Sequence, residues 1–313
     1  MRGGIDLGGT KIQAAVVDGD GRVAGDARHP TPTSGGPADV AAAMVAAMAE
    51  AARAAGVEPA QLEGVGVGSP GAVDAEAGSV TSARNLPGWE GTFPLAGTLQ
   101  DAFGVPVKLD NDVNVATDAE FQLGAGKPYR SLLGVFWGTG VGGGVVLDGR
   151  PWVGRGTAGE LGHMVVDQDG ERCPCGRIGC MEAYAGRGAM EARARRREGE
   201  TKLFEIMRER DRPRLTSGVW KRALKAGDPV ATELVDEAVK AIGTAVGSAV
   251  NLLDVEAVII GGGLGLKLGE PYVERIRDAM LPHVFADDRP PAVHLAELGD
   301  LGGAIGASLL VTR

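Results

Sequence analysis

Residues 162–182, GHMVVDQDGERCPCGRIGCME, carry all three cysteines of the chain and one of its four histidines. His163, Cys173, Cys175 and Cys180 form the pattern His-x9-Cys-x-Cys-x4-Cys on a glycine-rich loop. Three thiolates and one imidazole suit a tetrahedral zinc ion with no open coordination position, which makes the site structural in its chemistry. Three cysteines cannot all pair as disulfides, and free buried thiols are the alternative reading. Glu160 precedes the histidine within ELGH and Glu182 follows the last cysteine, so two carboxylates flank the loop.

A second set of residues is built for anions. In DLGGT, Asp6, Gly8, Gly9 and Thr10 put small residues where a backbone can approach a bulky phosphate, with N–H groups and a hydroxyl to meet its oxygens. An acidic side chain at the end of the first strand suits magnesium. GTGVGGG offers a similar turn at Gly138, Thr139 and Gly140, and IIGGGLG a third glycine cluster at Gly261, Gly262 and Gly263. None of these is a P-loop or a dinucleotide fingerprint, and an ordinary glycine hairpin turn is the bland alternative. A third set lies in KLDNDVN, where Asn111 and Asp112 end an apolar strand. A carboxylate there could take a proton from a hydroxyl nucleophile, or either residue could simply cap the helix that follows.

The elements that must position these residues follow from apolar periodicity. Gly4–Leu7 and Ile12–Val17 read as a hairpin closed by the first glycine turn. A helix is expected near 38–55, a strand in GVGVGSPG, a helix near 95–103 and a strand in VPVKLD. The segment Gly8–Gly19 can be laid without a gap on Gly138–Gly149, with Val16 on Val146 and Asp18 on Asp148. This points to two related lobes, each opening with a phosphate hairpin. Beyond the cysteines, helices are expected through EARARRREGETKLFEIMRERDR and VATELVDEAVKAIGTAVGSAVNLLD, then a strand in AVIIG and a closing helix in GDLGGAIGASLLV. Acidic residues interleave with the run Arg193–Arg197, which favours a solvated helix face over a polyanion site.

Composition excludes several classes of function. The net charge of -9 repels polyanions, so nucleic acid is not an expected partner. No run approaches the ~20 apolar residues of a membrane span, and the start MRGGIDLGGTK lacks a signal peptide, so a soluble cytoplasmic protein is expected.

The motifs DLGGTK, GVGSPG, NLPGW, DNDVN, GTGVGGG, AGELGH, CPCGRIGCMEAYA and IIGGGLG occur in one order from end to end. In this the chain resembles the ROK family of sugar kinases and repressors, in its kinase form; ExGH followed by CxCGxxGCxE is the most specific part. The resemblance implies an α/β, two-lobed, actin-like (ribonuclease H-like, duplicated) fold, with ATP and sugar in the cleft between lobes that close over the sugar. It places a small lobe at residues 1–112 plus 299–313 and a large lobe at 113–298 with the zinc loop 163–180.

The resemblance also implies roles. Asp112 would be the base for the sugar hydroxyl that attacks the terminal phosphorus of ATP, and Asn85, Asn111, Glu160, His163 and Glu182 would hold the sugar. Asp6 would orient Mg2+; Gly8, Gly9, Thr10, Lys11, Gly138, Thr139 and Gly140 would lie along the phosphates; Gly261, Gly262 and Gly263 would lie near adenosine. Glucose is the first expected substrate, with phosphate going to its 6-hydroxyl. N-acetylmannosamine, fructose and allose are the alternatives, as is polyphosphate for ATP. A repressor of the family would carry a helix-turn-helix before DLGGT, where this chain has only a few residues. A homodimer or homotetramer is expected.

Overall fold

A computed structural model describes residues 1–83 and 85–312 and divides them into two compact units. The first comprises 1–127, 153–156 and 297–313, and the second 128–152 and 157–296.

In the first unit, β1 (Arg2–Leu7), β2 (Lys11–Val17) and β3 (Val23–Pro30) form an antiparallel meander. Helix α1 (Pro37–Ala54) follows, then β4 (Val65–Ser69), a small sheet of β5 (Ala72–Asp74), β6 (Ser79–Thr81) and β7 (Thr92–Phe93), helix α2 (Leu95–Phe103), β8 (Val107–Asn111) and helix α3 (Asp112–Leu123). The main sheet has the order β3-β2-β1-β4-β8, with β4 parallel to β1 and β8 parallel to β4. Alternate residues of the meander and the apolar stripe of α1, including Val40, Met44, Met48 and Ala51, share one core. Proline at the first turn of α1, with the Asp39 carboxylate accepting the Gly36 N–H at 2.8 Å, fixes where that helix begins.

The second unit opens with β9 (Leu132–Trp137), β10 (Val141–Leu147) and β11 (Arg150–Pro151). Helices α4 (Met181–Ala185), α5 (Arg187–Arg195), α6 (Leu203–Glu209), α7 (Ser217–Lys225) and α8 (Pro229–Leu253) follow the cysteine loop. Strand β12 (Ala257–Gly261), helices α9 (Gly262–Leu268) and α10 (Glu270–Met280) and β13 (Ala292–Leu295) complete it. Its sheet runs β11-β10-β9-β12-β13, again two antiparallel neighbours followed by two parallel ones. The two units therefore share one strand topology, which gives the short repeat at Gly8 and Gly138 a structural counterpart. The correspondence loosens at its far end. Asp148 and Gly149 form a tight two-residue turn with φ of 50° and 76°, whereas the first hairpin turns through Asp18–Gly21 with only Gly21 at positive φ.

The chain returns to the first unit as α11 (Gly302–Leu309). This helix packs directly on strand backbone: methyl groups on the register partners Gly4 and Gly66 would collide with the carbonyl oxygens of Ala304 and Ala307. Buried Glu120 on α3 fastens the same segment by accepting N–H groups from Ala125, Glu297 and Leu298 at 3.1, 3.1 and 2.9 Å. The expected lobe boundary at 112 thus falls inside the first unit. Gly306 of α11 lies against Val115 and Ala119, so α3 shares its packing with α11.

The arginine run is a surface ion-pair network, with Arg193 on Glu171 and Glu237, Arg195 on Glu191 and Arg197 on Glu200 and Glu233. Among the described residues no helix is long and apolar enough to cross a membrane.

Candidate functional site

On the first unit the chemistry gathers at the ends of β1 and β8. Asp6 stands where β1 runs into the glycine turn, tight against Gly303 of α11. Burial lifts its pKa to about 6; Lys11 opposes the shift and Asp300 adds to it. The turn is held by Gly8 N–H donating to the Lys11 carbonyl at 2.9 Å, by the Thr31 hydroxyl donating to the Gly8 carbonyl at 2.6 Å and by Thr31 N–H on the Thr10 carbonyl. The N–H groups of Gly9 and Thr10 meet no acceptor among the described residues, which leaves them for an anion. Asn85 lies against Gly9, near enough that a methyl group there would meet its Nδ2 at 3.2 Å. Lys11, expected along the phosphates, pairs with Asp300 at 3.0 Å. Asp300, which also faces Arg28, carries no motif that the sequence reading could have used.

At the end of β8 the structure shows which residue caps the following helix. Asn111 is the helix cap: its Oδ1 accepts the N–H groups of Val113 and Asn114 at 3.0 and 3.3 Å. Asp112 is the first residue of α3, half-buried, with Oδ1 3.0 Å from the Val113 nitrogen. Capping by Asn111 makes it unnecessary for Asp112 to serve only as a cap.

On the second unit the Cys/His loop, the glycine hairpin and Glu182 form one connected structure. The donor atoms of His163, Cys173, Cys175 and Cys180 lie within 4.8 Å of one another. Cys175 Sγ is 3.7 Å from Cys180 Sγ, and His163 Nδ1 is 3.8 Å from Cys173 Sγ. A zinc ion with sulfurs at about 2.3 Å in a tetrahedron spaces them about 3.8 Å apart, so the four residues fit that metal.

Burial pushes Cys173 up to about 12 and also raises Cys180. Burial acts upward on Cys175 too, but the Arg177 N–H, the neighbouring thiols and the Arg177 guanidinium bring it down to about 6. Protein groups alone therefore favour one thiolate among the three, and a cation is what would deprotonate the others. Gly179, with φ of 76°, lies so close to the Asp167 carbonyl that any side chain would collide, which ties the glycine of GxxGC to the fold of the loop.

The His163 ring turns Nδ1 to the sulfurs and Nε2 toward Glu160, 3.8 Å from its Oε2. His163 belongs to a short 3-10 turn, Leu161–His163, that begins immediately after Glu160. Glu182, in the first turn of α4, accepts the Val141 N–H at 2.9 Å and so reaches the foot of the glycine hairpin. The third glycine cluster meets the same hairpin. Gly261 pairs with Phe136, Gly262 at φ of 80° rests on the Trp137 backbone, and a methyl group on Gly138 would lie 3.9 Å from the Gly263 nitrogen.

The second unit thus brings a histidine of the Cys/His loop beside Glu160, and Glu182 onto a glycine hairpin. The ROK family model matches residues 2–313. The chain belongs to the ROK family.

Among proteins of this family, the chain is 32% identical over 316 residues to a glucokinase of Halalkalibacterium halodurans, covering 99% of this chain and 94% of that one. It is 33% identical to an N-acetyl-D-glucosamine kinase of Pectobacterium atrosepticum, covering 98% and 97% of the two chains. The solved structure of a ROK family glucokinase from Streptomyces griseus, in complex with glucose and AMPPNP, superposes with a TM-score of 0.85 at 32% identity over 99% of this chain and 98% of that one. The α/β architecture is thus that of a ROK kinase.

Proposed function

We propose that this ROK protein is an ATP-dependent hexose kinase whose first substrate is glucose, converted to glucose 6-phosphate. The observation that carries the reading is the continuity of the second unit. Glu182 joins the cysteine loop to the glycine hairpin through the Val141 N–H, so groups suited to a polyol and groups suited to a phosphate are held by one network. The glucose and AMPPNP named for the Streptomyces griseus relative support the choice of substrates.

In the proposed reaction the Asp112 carboxylate accepts the proton of the sugar 6-hydroxyl. The oxygen attacks the terminal phosphorus of ATP, the bond to the bridging oxygen breaks, and ADP leaves with that electron pair. Asn111, Asn85, Glu160, His163 and Glu182 hold the remaining hydroxyls, the carboxylates as acceptors and His163 through Nε2. Gly8, Gly9, Thr10, Lys11, Gly138, Thr139 and Gly140 lie along the phosphates, with the N–H groups of Gly9, Thr10, Thr139 and Gly140 as the donors, and Gly261, Gly262 and Gly263 leave room for adenosine. Asp6 orients magnesium or its waters, and magnesium when bound neutralises charge on the phosphates.

His163, Cys173, Cys175 and Cys180 would hold zinc, which would fix the ring of His163 and take no part in phosphoryl transfer. Bound through Nδ1, which faces the sulfurs, the ring would keep Nε2 for the sugar.

A second reading is a kinase for another hexose, with N-acetylglucosamine added by the Pectobacterium atrosepticum relative to N-acetylmannosamine, fructose and allose. Measuring ADP formation over a panel of these sugars, with ATP and with polyphosphate as donors, decides between them. Turnover of an amino sugar at least tenfold above that of glucose would replace glucose, and no turnover of any sugar would overturn the kinase reading.

A further inference from the structure

Arg187 opens α5 and directs its guanidinium to the second glycine hairpin. Nη2 donates to the Thr139 hydroxyl and Nη1 to the Ser217 hydroxyl, both at 2.9 Å. The backbone of the same helical turn holds the hairpin as well: the Arg187 N–H donates to the Gly138 carbonyl at 3.2 Å and the Gly188 N–H to the Thr139 carbonyl at 3.0 Å. These contacts use the carbonyl oxygens of the turn. The N–H groups of Thr139 and Gly140 have no acceptor among the described residues and remain available to a ligand.

No carboxylate among the described residues lies within ion-pair distance of this cation. Among the described residues Arg187 makes no ion pair, whereas Arg193 and Arg195 of the same helix both pair with glutamates. Glu191, the nearby carboxylate, is engaged with Arg195 at 2.7 Å and with the Leu215 N–H at 2.9 Å. The pKa of Arg187 is lowered, first by burial and then by Arg214, with Glu191 opposing the shift only in part. A partly buried guanidinium held between two neutral hydroxyls is a costly arrangement unless an anion completes it. In a chain of net charge -9, an arginine held against a glycine turn with no carboxylate in ion-pair contact marks a place kept positive.

The hairpin offers only neutral donors, while a nucleoside polyphosphate carries several negative charges. A guanidinium has five N–H donors; two are engaged here and three remain, in a plane suited to phosphate oxygens. We propose that Arg187 contacts the phosphate groups of the phosphoryl donor and supplies the positive charge that the Gly138–Gly140 turn lacks, with Thr139 and Ser217 positioning it. This rests on the reading of the chain as an ATP-dependent kinase, and it adds a residue that the motif pattern did not single out.

The test uses the full chain with magnesium and compares ATP, ADP and adenosine, by direct titration and as competitors in the sugar kinase assay. Arg187→Met removes the charge and keeps the length. Its affinity for ATP should fall about 10- to 100-fold, as expected for loss of charge-assisted hydrogen bonds, with ADP following, while adenosine and the KM for sugar stay within twofold. Arg187→Lys should recover part of the loss. Ser217→Ala should show a smaller loss in the same ligand order, and it carries the test if Arg187→Met does not fold by circular dichroism.

Unchanged ATP affinity in Arg187→Met, or equal losses for adenosine and ATP, would overturn the assignment while leaving the kinase reading intact. A wild-type protein that neither binds ATP nor phosphorylates a sugar would overturn both.

Discussion

The Val141 N–H donates to Glu182 Oε2 at 2.9 Å, and the same oxygen occupies the space that a methyl group on Gly140 would need. The carboxylate proposed for the sugar and the turn proposed for the phosphates are therefore in direct contact, so bulk added to the turn is felt by Glu182.

Gly140→Ala tests this coupling. The added methyl must displace Glu182, so the KM for sugar should rise about tenfold, equivalent to about 1.4 kcal/mol, although residue 140 is assigned to the phosphate side. Overpacking should also lower stability by about 1–3 kcal/mol. Steady-state kinetics with each substrate varied in turn reads the effect; a change confined to the KM for ATP would show that Glu182 does not serve the sugar.

The neighbours Asn111 and Asp112 should separate in opposite senses. Asn111→Ala removes the cap of α3 and should cost about 1 kcal/mol of stability. Asp112→Asn keeps that cap, so its Tm should stay near wild type while kcat falls by ~10^2 to 10^4. Denaturation and turnover measured on both variants check the pair. An Asp112→Asn enzyme within threefold of wild-type kcat would remove Asp112 as the base.

Much of this was legible in the sequence because spacing encodes it. The Cys/His pattern names four ligands and the structure brings all four donor atoms together. Period-two and period-3.6 patterning placed β1, β2, α1, α2 and α8 to within a few residues. Three things were not legible, each for a physical reason. The cap and base alternatives at 111 and 112 depend on which residue first takes helical dihedrals, which a strand-to-helix step in sequence does not state. The pair of Lys11 with Asp300 joins residues far apart along the chain, which local spacing does not show. Arg187 and Ser217 belong to no motif, since an arginine after a glycine reads as surface until its hydroxyl partners are known.

Asp6 gives a pH dependence with a definite sign. Its pKa in the folded protein is about 6, above the ordinary 3.8, so between those values the folded state binds more protons than the unfolded state. Stability contributed at low pH is therefore lost as pH rises through that window, and the penalty is constant above it. Its size is on the order of 2 kcal/mol, since the carboxylate retains some accessible surface. Asp6→Asn should raise the Tm of the ligand-free protein by about 5 °C at pH 7 and by little near pH 4. Turnover should be lost in the same variant. Calorimetry at the two pH values checks this, and an equal shift at both would rule out ionisation of Asp6 as the cause.

The metal loop supplies the last prediction. Zinc analysis of the purified protein should find one ion per chain, and Cys173→Ala, Cys175→Ala and Cys180→Ala should each lose most of it. Without the ion, the thiols of Cys173 and Cys180 lie well above their ordinary pKa and the ring of His163 loses the partner that selects its Nδ1. Sugar affinity should then fall by at least tenfold, because both His163 and, through the Met181 and Tyr184 contacts of the loop, Glu182 lose their register. ATP affinity should fall much less, since the Gly138–Gly140 turn is held separately by the first turn of α5. A strong chelator should reproduce the cysteine variants, and added zinc should reverse it. Wild-type sugar affinity in a zinc-free protein would leave the cluster without a role in substrate binding.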